Sequence, residues 1–373
     1  MPTSTAPLFT PFRIGSLTLP NRIVMAPMTR SFSPGGVPGA DVAAYYKRRA
    51  QNDVGLIITE GTVIDHPAAA NDPNVPRFHG DDALAGWANV VQEVHAAGGL
   101  IMPQLWHTGT MRKVGQGPNP QALPVSPSGL FKSGKKVVEP MTVTEIESII
   151  GAFGKGAADA KRLGFDGLEL HGAHGYLIDQ FFWAGTNERS DSWGGDAIKR
   201  TNFAAEVIRV CRLAVGPDFP IIIRFSQWKQ QDYAARLAPT PAELEAFLAP
   251  LVAAGIDAFH CSNRRFWEPE FPDEAEGAKM NLAGWTKKLS GKPVITVGSI
   301  GLDTDFITTF KGQAAEKSSG NIETLIEMVA RGEVDLVAVG RALLADPAWV
   351  SKVREGRLAD VPRFTPDVLK TLV

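Results

Sequence analysis

Two histidines and a tyrosine follow one short apolar run in this chain. The run extends from Gly167 to Leu170, and His171, His174 and Tyr176 come directly after it. If the run is a buried parallel strand, these side chains lie at its C-terminal end, where strand-built α/β enzymes place their chemistry. Two hydrogen-bond donors beside a proton donor suit a substrate whose oxygen gains negative charge while a neighbouring carbon takes a proton.

The two histidines alone leave other interpretations open. They could be hydrogen-bonded polar residues at a strand end with no catalytic role. They could also bind a metal, but no Glu, Cys or further His lies at a spacing that would complete a zinc site. We therefore predict no metal and look to the rest of the chain for a decision.

The elements that would position these residues are short strands alternating with helices. Eight apolar runs are continuous, as strands buried on both faces should be, and they span residues 22–25, 55–60, 100–105, 167–171, 221–225, 258–261, 293–297 and 335–339. Helical stretches between them cover 41–50, 82–97, 144–163, 197–215, 241–254, 283–289, 322–331 and 347–355. Eight such units predict one domain over residues 1–373, an α/β fold with a closed (β/α)8 TIM barrel. Strand count alone does not exclude a doubly wound open sheet.

Residues at the helix ends support this phasing. Thr144, with Glu147 three residues later, predicts a capping box at the start of one helix. Glycines stand where helices should stop before the next strand. These are Gly98, Gly99, Gly164, Gly255 and Gly332.

Segments outside the strand–helix units have predicted places at the two barrel ends. Residues 12–19 predict a small β-hairpin that plugs the N-terminal mouth. Two long loops, at about 103–141 and 264–279, follow the third and sixth strands, so both emerge at the C-terminal face. We expect both to wall the active site. For Trp267, in the second loop, contact with substrate and packing against neighbouring loops are both open.

Composition excludes several classes of partner. The chain has 373 residues, 44% of them hydrophobic, with a net charge of −2 and a pI near 6.4, so nothing favours nucleic acid or an anionic membrane as partner. Its two cysteines, Cys211 and Cys261, form no CxxC motif. The sequence shows neither a leader-like N-terminus nor a long apolar span. We expect a cytoplasmic enzyme, monomeric or homodimeric, that acts on a small molecule.

The seventh and eighth predicted strands both end at a glycine that is followed by a polar residue. Val297, Gly298 and Ser299 end the seventh, and Gly340 and Arg341 end the eighth. Glycines there let backbone amides approach an anion, and the guanidinium can bind a phosphate through two hydrogen bonds. A glycine at a strand end is also a common turn residue, but the two together predict a phosphate site.

Three other strand ends carry groups suited to a flat heteroaromatic ring. Gln104 offers an amide that can donate and accept at a pyrimidine-like edge, Arg224 offers a fixed positive charge, and Thr29 offers a hydroxyl. The alternative for Arg224 is an ion pair at the barrel mouth with Glu60 or Glu169.

In this order, the residues resemble the Old Yellow Enzyme family of FMN-dependent ene reductases over nearly the whole chain. The motifs that carry the resemblance are Leu8-Phe-x-Pro-Phe-x-Ile-Gly, Pro20-Asn-Arg-Ile-Val-Met-Ala-Pro-Met-Thr-Arg, Thr59-Glu-Gly-Thr, Pro103-Gln-Leu-Trp-His-x-Gly, the run from His171 to Phe182, Thr186-Asn-x-Arg-x-Asp-x-Trp-Gly-Gly with Arg200, and Gly340-Arg-Ala-Leu-Leu-Ala-Asp-Pro. Their combination and order make the resemblance specific.

The resemblance implies a barrel that holds FMN non-covalently, with NAD(P)H as the hydride donor. The flavin contacts that it implies are Pro27, Met28, Thr29, Gly61, Gln104, His171, Arg224, Val297, Gly298, Ser299, Gly340 and Arg341. The substrate contacts that we expect are Thr29, Trp106, His171, His174, Tyr176 and Trp267, the last without a family counterpart. Arg224 would then stabilise negative charge on the flavin.

The resemblance also implies a reaction, the reduction of the C=C bond of an α,β-unsaturated carbonyl or nitro compound. His171 and His174 would hold the substrate oxygen while Tyr176 protonates the α-carbon. Position 174 is His where yeast-type members often carry Asn, and either residue donates a hydrogen bond. Thr29 replaces the Cys of another subgroup. No further domain follows Val373 in this sequence, which we take as an argument against the larger dienoyl-CoA reductase relatives.

Two alternatives to ene reduction stay open. A flavoprotein with these motifs could act mainly in amine demethylation, or on nitro compounds and nitrate esters. A flavin-free phosphate-binding barrel lyase could use His171 and Tyr176 as acid and base, although a Schiff-base lyase needs a lysine at a strand end, and we find none in the sequence. NADPH and NADH are not distinguished, because the chain has no dinucleotide-binding GxGxxG unit.

Overall fold

Eight parallel strands form a closed barrel in the computed structural model, which describes residues 4–275, 277–305 and 319–373. The strands are β1 (Phe12–Ile14), β2 (Leu17–Leu19), β3 (Ile23–Met25), β4 (Leu56–Val63), β5 (Ile101–Trp106), β6 (Leu130–Lys132), β7 (Lys135–Lys136), β8 (Leu168–His174), β9 (Ile221–Lys229), β10 (Ala258–Ser262), β11 (Val294–Val297) and β12 (Leu336–Val339). The barrel order is β3, β4, β5, β8, β9, β10, β11 and β12, and β12 pairs with β3 to close the ring. The TIM-barrel prediction is confirmed.

Helices pack outside the barrel between successive strands. They are α1 (Ala40–Ala50), α2 (Asp81–Ala96), α3 (Val143–Arg162), α4 (Leu177–Phe182), α5 (Asn202–Val215), α6 (Pro241–Ala253), α7 (Leu282–Ser290), α8 (Ser319–Ala330), α9 (Arg341–Ala345) and α10 (Trp349–Arg354). The short helices α4 and α9 were not predicted. Each starts within three residues of the end of a barrel strand, so it begins beside the C-terminal mouth.

The capping box of α3 lies two residues earlier than predicted. Thr142, not Thr144, caps the helix: its hydroxyl accepts from the Glu145 N–H, and the Glu145 carboxylate accepts from the Thr142 N–H. The pattern of a hydroxyl followed by Glu at the third position fits both registers, and the start of the helix selects the first. A second capping box, Thr240 with Glu243, starts α6 and was missed.

The barrel interior is apolar at its N-terminal end. Strands β1 and β2 form the predicted hairpin, and Ile14 and Leu19 from it are fully buried in one cluster with inward-facing barrel residues. Those residues include Val24, Leu56, Ile58, Met102, Ile222, Ala258, Ile295 and Leu336. Because strand side chains alternate, positions two residues further along face inward again. On three strands these positions are Gln104, Arg224 and His260, so the interior becomes polar toward the C-terminal mouth.

Candidate active site

A cavity of about 270 Å³ opens at the C-terminal ends of the barrel strands. Each of the eight barrel strands contributes a lining residue from the strand or from the residues directly after it. All the predicted site residues except Trp267 line this cavity. They are Pro27, Met28, Thr29, Gly61, Gln104, Trp106, His171, His174, Tyr176, Arg224, Val297, Gly298, Ser299, Gly340 and Arg341.

The side chains of Trp106, His171 and Tyr176 are in mutual contact at one wall. The His171 ring centroid lies 6.0 Å from that of Trp106 and 5.0 Å from that of Tyr176. Burial lowers the pKa of His171 well below its usual range, and the nearby charge of Arg224 lowers it further. The imidazole is therefore neutral near pH 7, and its buried Nδ1 has no hydrogen-bond partner among the described residues.

His174 stands opposite, on a strained piece of backbone. Its φ is +65°, and its ring stacks on Trp228 with centroids 4.7 Å apart. Its Nε2 lies 2.8 Å from the Ser262 hydroxyl, which also accepts a 3.2 Å hydrogen bond from the Arg224 guanidinium. Burial lowers the pKa of His174 well below its usual range as well. Both histidines thus present neutral rings.

Tyr176 keeps its proton in this setting. Burial raises the pKa of its phenol, and Gln230 donates a 3.3 Å hydrogen bond to the phenol oxygen. An N–H donor at the oxygen leaves the O–H of Tyr176 available to a ligand. The cavity therefore holds two neutral imidazoles and a protonated phenol.

A buried polar layer lies deeper in the barrel. The Gln104 amide donates a 2.7 Å hydrogen bond to Glu169 Oε1, and the other oxygen of Glu169 lies 2.7 Å from His260 Nδ1.

The alternative role that the sequence left open for Arg224, an ion pair at the barrel mouth, is wrong, because neither Glu60 nor Glu169 lies within ion-pairing distance of it. The guanidinium Nε has no hydrogen-bond partner in the part of the chain that the structure describes, and burial lowers the pKa of Arg224 only to about 10, so it stays charged.

The opposite end of the cavity is built from glycine backbone and Arg341. A Cβ at Gly298, where φ is +140°, would lie 2.7 Å from the Asn263 carbonyl oxygen, so a larger residue does not fit. Ser299 follows with φ of +56° and accepts a 3.2 Å hydrogen bond from Arg341. The same guanidinium donates to the backbone carbonyls of Thr304 and Asp305. A cationic, glycine-lined end of this kind fits a phosphate.

Trp267, expected to contact substrate, lies outside this cavity. Its ring packs edge-on against the fully buried Phe266, with centroids 5.2 Å apart. The Phe266 N–H donates a 3.1 Å hydrogen bond to the Gly298 carbonyl. Trp267 therefore takes the packing role that the sequence left open.

The two long loops supply less of the wall than predicted. Of the described residues in 264–279, Arg264 alone lines the cavity, and in 103–141 only Gln104 and Trp106, both from β5, do so. Most of the described residues of these two loops therefore do not line the cavity.

Another part of the wall comes from the C-terminal segment, which sequence reasoning missed. Phe364 and Leu369 line the cavity. Arg30 holds this segment through hydrogen bonds to the backbone carbonyls of Val368 and Thr371, at 3.2 and 2.7 Å. Bonds to backbone carbonyls do not depend on the side chains there, so no sequence motif marks the contact.

Residues after β9 and β10 were also missed. Gln230, Ser262, Asn263 and Arg264 line the cavity, and each lies in the last position of one of these strands or within two residues of its end. The rule that located Gln104 and Arg224, polar residues at strand ends, could have found them.

Comparisons with known proteins identify the family. A family model described as the NADH:flavin oxidoreductase / NADH oxidase family matches residues 7–316. The chain belongs to the Old Yellow Enzyme family. A solved structure of morphinone reductase in complex with tetrahydroNAD superimposes on it with a TM-score of 0.79 at 29% identity, covering 97% of this chain and 93% of that one. An old yellow enzyme homologue from Zymomonas mobilis gives a TM-score of 0.77 at 26% identity, covering 97% and 96%.

Curated Old Yellow Enzyme relatives agree with this assignment. A 12-oxophytodienoate reductase 7 of Oryza sativa subsp. japonica is 32% identical, covering 94% of this chain and 88% of the relative. An NADH oxidase of Thermoanaerobacter brockii is 37% identical over 95% of this chain, which spans only 52% of that protein. The protein is therefore a flavin-dependent oxidoreductase of this family. None of the helices in the described part of the chain has the length and apolarity needed to cross a membrane.

Proposed function

We propose that this protein is an FMN-dependent ene reductase, which takes hydride from NAD(P)H and reduces the C=C bond of electron-poor alkenes. The observation that carries the proposal is the convergence of His171, His174 and Tyr176 on one cavity with a charged Arg224. Two neutral donors and one protonated acid suit an α,β-unsaturated carbonyl or nitro compound, whose oxygen gains charge as its α-carbon is protonated.

The cavity also suits the flavin. Buried donors of two lining residues, Arg224 Nε and Trp106 Nε1, lack hydrogen-bond partners within residues 4–275, 277–305 and 319–373, and such atoms are expected to meet a ligand or water. Gln104 and Arg224 would hold the pyrimidine side of the ring, with His171 beside it. The phosphate would be held by Gly298, Ser299, Gly340 and Arg341. The proposed ring contacts are Pro27, Met28, Thr29, Gly61 and Val297.

Gly61 leaves space in this arrangement. A Cβ at that position would lie 2.6 Å from the ring of Trp106, so a side chain would displace the indole from the cavity wall. When bound, FMN supplies the hydride transfer, which no side chain of the protein can perform. The protein contributes orientation, charge and a proton.

The protein's own part in the reaction follows from its protonation states. A neutral imidazole carries one N–H, so His171 and His174 can each donate one hydrogen bond to the substrate oxygen, His174 from Nδ1 when its Nε2 accepts from the Ser262 hydroxyl. As negative charge builds on that oxygen, these hydrogen bonds strengthen and lower the barrier. Tyr176 delivers its proton to the α-carbon, and Trp106 and Thr29 shape the space beside it.

Lys229 bears on the flavin-free alternative. Strand β9 extends to Lys229, so a lysine does lie at a strand end, contrary to the sequence analysis. It is fully buried, forms a 2.6 Å ion pair with Asp179 and does not line the cavity. A charged, paired lysine outside the cavity is no Schiff-base nucleophile, so we do not favour a lyase.

The function is tested with His171→Ala and His174→Ala. We expect alkene reduction to fall by about 10²- to 10³-fold in each, the typical cost of losing one oxyanion donor, while bound FMN stays at the wild-type level. His95→Ala is the matched control, because His95 pairs with Asp166 beside the N-terminal start of β5, at the end of the barrel opposite the cavity. Wild-type turnover in both cavity variants would contradict the proposal. Faster turnover on amines or nitrate esters than on enones would favour the other flavin activities.

A further inference from the structure

Lys229 and Asp179 form an ion pair that lies entirely inside the protein. Their side chains are fully buried, with 2.6 Å between Nζ and Oδ1. The register of the barrel places Lys229 of β9 opposite His174 of β8. The pair is therefore adjacent to the turn that carries His174 and Tyr176, although neither of its members lines the cavity.

That turn has a backbone conformation that must be held in place. His174 and Gly175 are consecutive residues with φ of +65° and +79°, and a non-glycine residue rarely adopts a left-handed conformation unless its surroundings impose it. The φ of Gly175 disfavours any side chain there, and a Cβ would also displace the Gln231 amide, whose oxygen lies 1.8 Å from the Cβ position. The two residues set the direction in which the chain enters Tyr176.

Two side chains accept the backbone N–H groups of this turn. The Gly175 N–H donates a 2.7 Å hydrogen bond to Asp179 Oδ2, and the His174 N–H donates a 3.0 Å bond to the Ser226 hydroxyl. Lys229 connects both acceptors, because its ammonium bonds Asp179 Oδ1 and, at 3.0 Å, the Ser226 carbonyl oxygen. One buried cation thus bonds the two residues that supply these acceptors, while the Ser226 hydroxyl itself donates a 2.7 Å hydrogen bond to the Trp228 carbonyl oxygen.

A buried ion pair is a poor device for stability alone. Its desolvation offsets the attraction, and apolar side chains of similar size often serve as well. We propose that Asp179 and Ser226 are positioning residues, whose acceptors hold the left-handed turn at His174 and Gly175 so that the His174 ring and the Tyr176 phenol face the cavity, and that Lys229 neutralises the buried Asp179 carboxylate. The proposal rests on the proposed function for the roles of His174 and Tyr176.

Two double variants separate the hydrogen bond from the charge. Asp179→Asn with Lys229→Met removes both charges but keeps an oxygen that can accept from Gly175 N–H. Asp179→Leu with Lys229→Met removes both charges and the acceptor. We compare the dissociation constant of 4-hydroxybenzaldehyde, followed by the change in flavin absorbance, then KM and kcat for an enone, and bound FMN.

We expect the leucine variant to bind the phenol about tenfold more weakly, the loss typical of one hydrogen bond, and to lose kcat while retaining FMN. The asparagine variant should bind the phenol within about threefold of wild type, since its acceptor is kept. Wild-type phenol binding in the leucine variant, or equal losses in both variants, would overturn the positioning role. A leucine variant that does not fold is replaced by Ser226→Ala, where unchanged phenol binding overturns it.

His174→Ala distinguishes this proposal from the function on which it rests. If that variant binds the phenol as wild type does, the donor role of His174 and the positioning role both fail. If it binds weakly while the leucine double variant and Ser226→Ala bind normally, the proposed function stands and only the positioning role is wrong.

Discussion

Two groups of buried polar atoms, the turn group and the cavity group, lie close together where β8 and β9 end. They differ in how many of their atoms form hydrogen bonds within the protein. In the turn group, both oxygens of Asp179 and the N–H groups of His174 and Gly175 have protein partners. In the cavity group, His171 Nδ1 and Arg224 Nε have no such partner in the described ranges of the chain. Buried polar atoms normally find partners, so the first group gives the site its shape and the second awaits a ligand.

The largest effect, a loss of stability, should come from disrupting the turn group, whose polar atoms have protein partners. Lys229→Met alone leaves the Asp179 carboxylate charged and buried without its cation, and we expect the free energy of unfolding to fall by about 3 to 5 kcal/mol. Guanidinium denaturation of the FMN-saturated protein measures it. Lys155→Met, at an exposed ion pair with Asp65, is the control and should change little. A small loss at Lys229 would mean that the buried pair is not essential to the fold.

A change in the cavity group should alter the redox potential of the flavin and leave the fold unchanged. Arg224→Met removes a charged donor without leaving an unpaired carboxylate. The loss of a charged hydrogen bond, about 1.5 to 3 kcal/mol, corresponds to a two-electron flavin potential about 30 to 65 mV more negative. Dye-linked spectroelectrochemistry measures the potential, with Arg224→Lys as the charge-retaining control. An unchanged potential in the methionine variant would remove Arg224 from the flavin's surroundings.

A satisfied polar group far from the cavity should affect stability only. Thr142→Ala removes the capping box of α3 and should cost about 1 kcal/mol, with no change in FMN binding. Thr144→Ala, two residues into the helix, is the matched control and should be close to neutral. Thermal unfolding of the two variants decides between the observed and the predicted cap, and a larger loss at Thr144 would restore the prediction.

The smallest effect concerns pH. The pKa values of His171 and His174 lie well below the usual value near 6.5, so both rings are already neutral across pH 6 to 8. The dissociation constant of cyclohexenone, which does not ionise, should therefore be flat over that range. Protonation would set in only below the lowered pKa values. A step in affinity with a midpoint near pH 6.5 would show that the histidines titrate normally.

The same contrast explains what the sequence could predict. Strand ends that hold Gln104, Arg224 and Arg341 follow from apolar runs and glycines, because a closed parallel barrel brings every C-terminal strand end to one face. The wall formed by Phe364 could not be inferred, since Arg30 binds carbonyls, which every residue has.

The other differences between the predicted and the observed elements arise because two strands are longer than the apolar runs that predicted them. The apolar run that predicts β9 ends at Phe225, but the strand continues through polar residues to Lys229. A lysine in a strand is unexpected from composition, and only its burial against Asp179 explains it. Similarly, β8 continues to His174, so His171 lies within the strand rather than after it. Its place in the cavity was nevertheless predicted.

The most direct test of the account is an anaerobic stopped-flow experiment on the FMN-loaded protein in two steps. NADPH is mixed first, and the blue flavin absorbance is followed; cyclohexenone is then added. If the protein is an FMN-dependent ene reductase, the absorbance bleaches and then recovers at a rate that depends on cyclohexenone concentration. Bleaching without recovery would contradict ene reduction while leaving a flavin oxidoreductase, and a protein that binds no FMN would contradict the account as a whole.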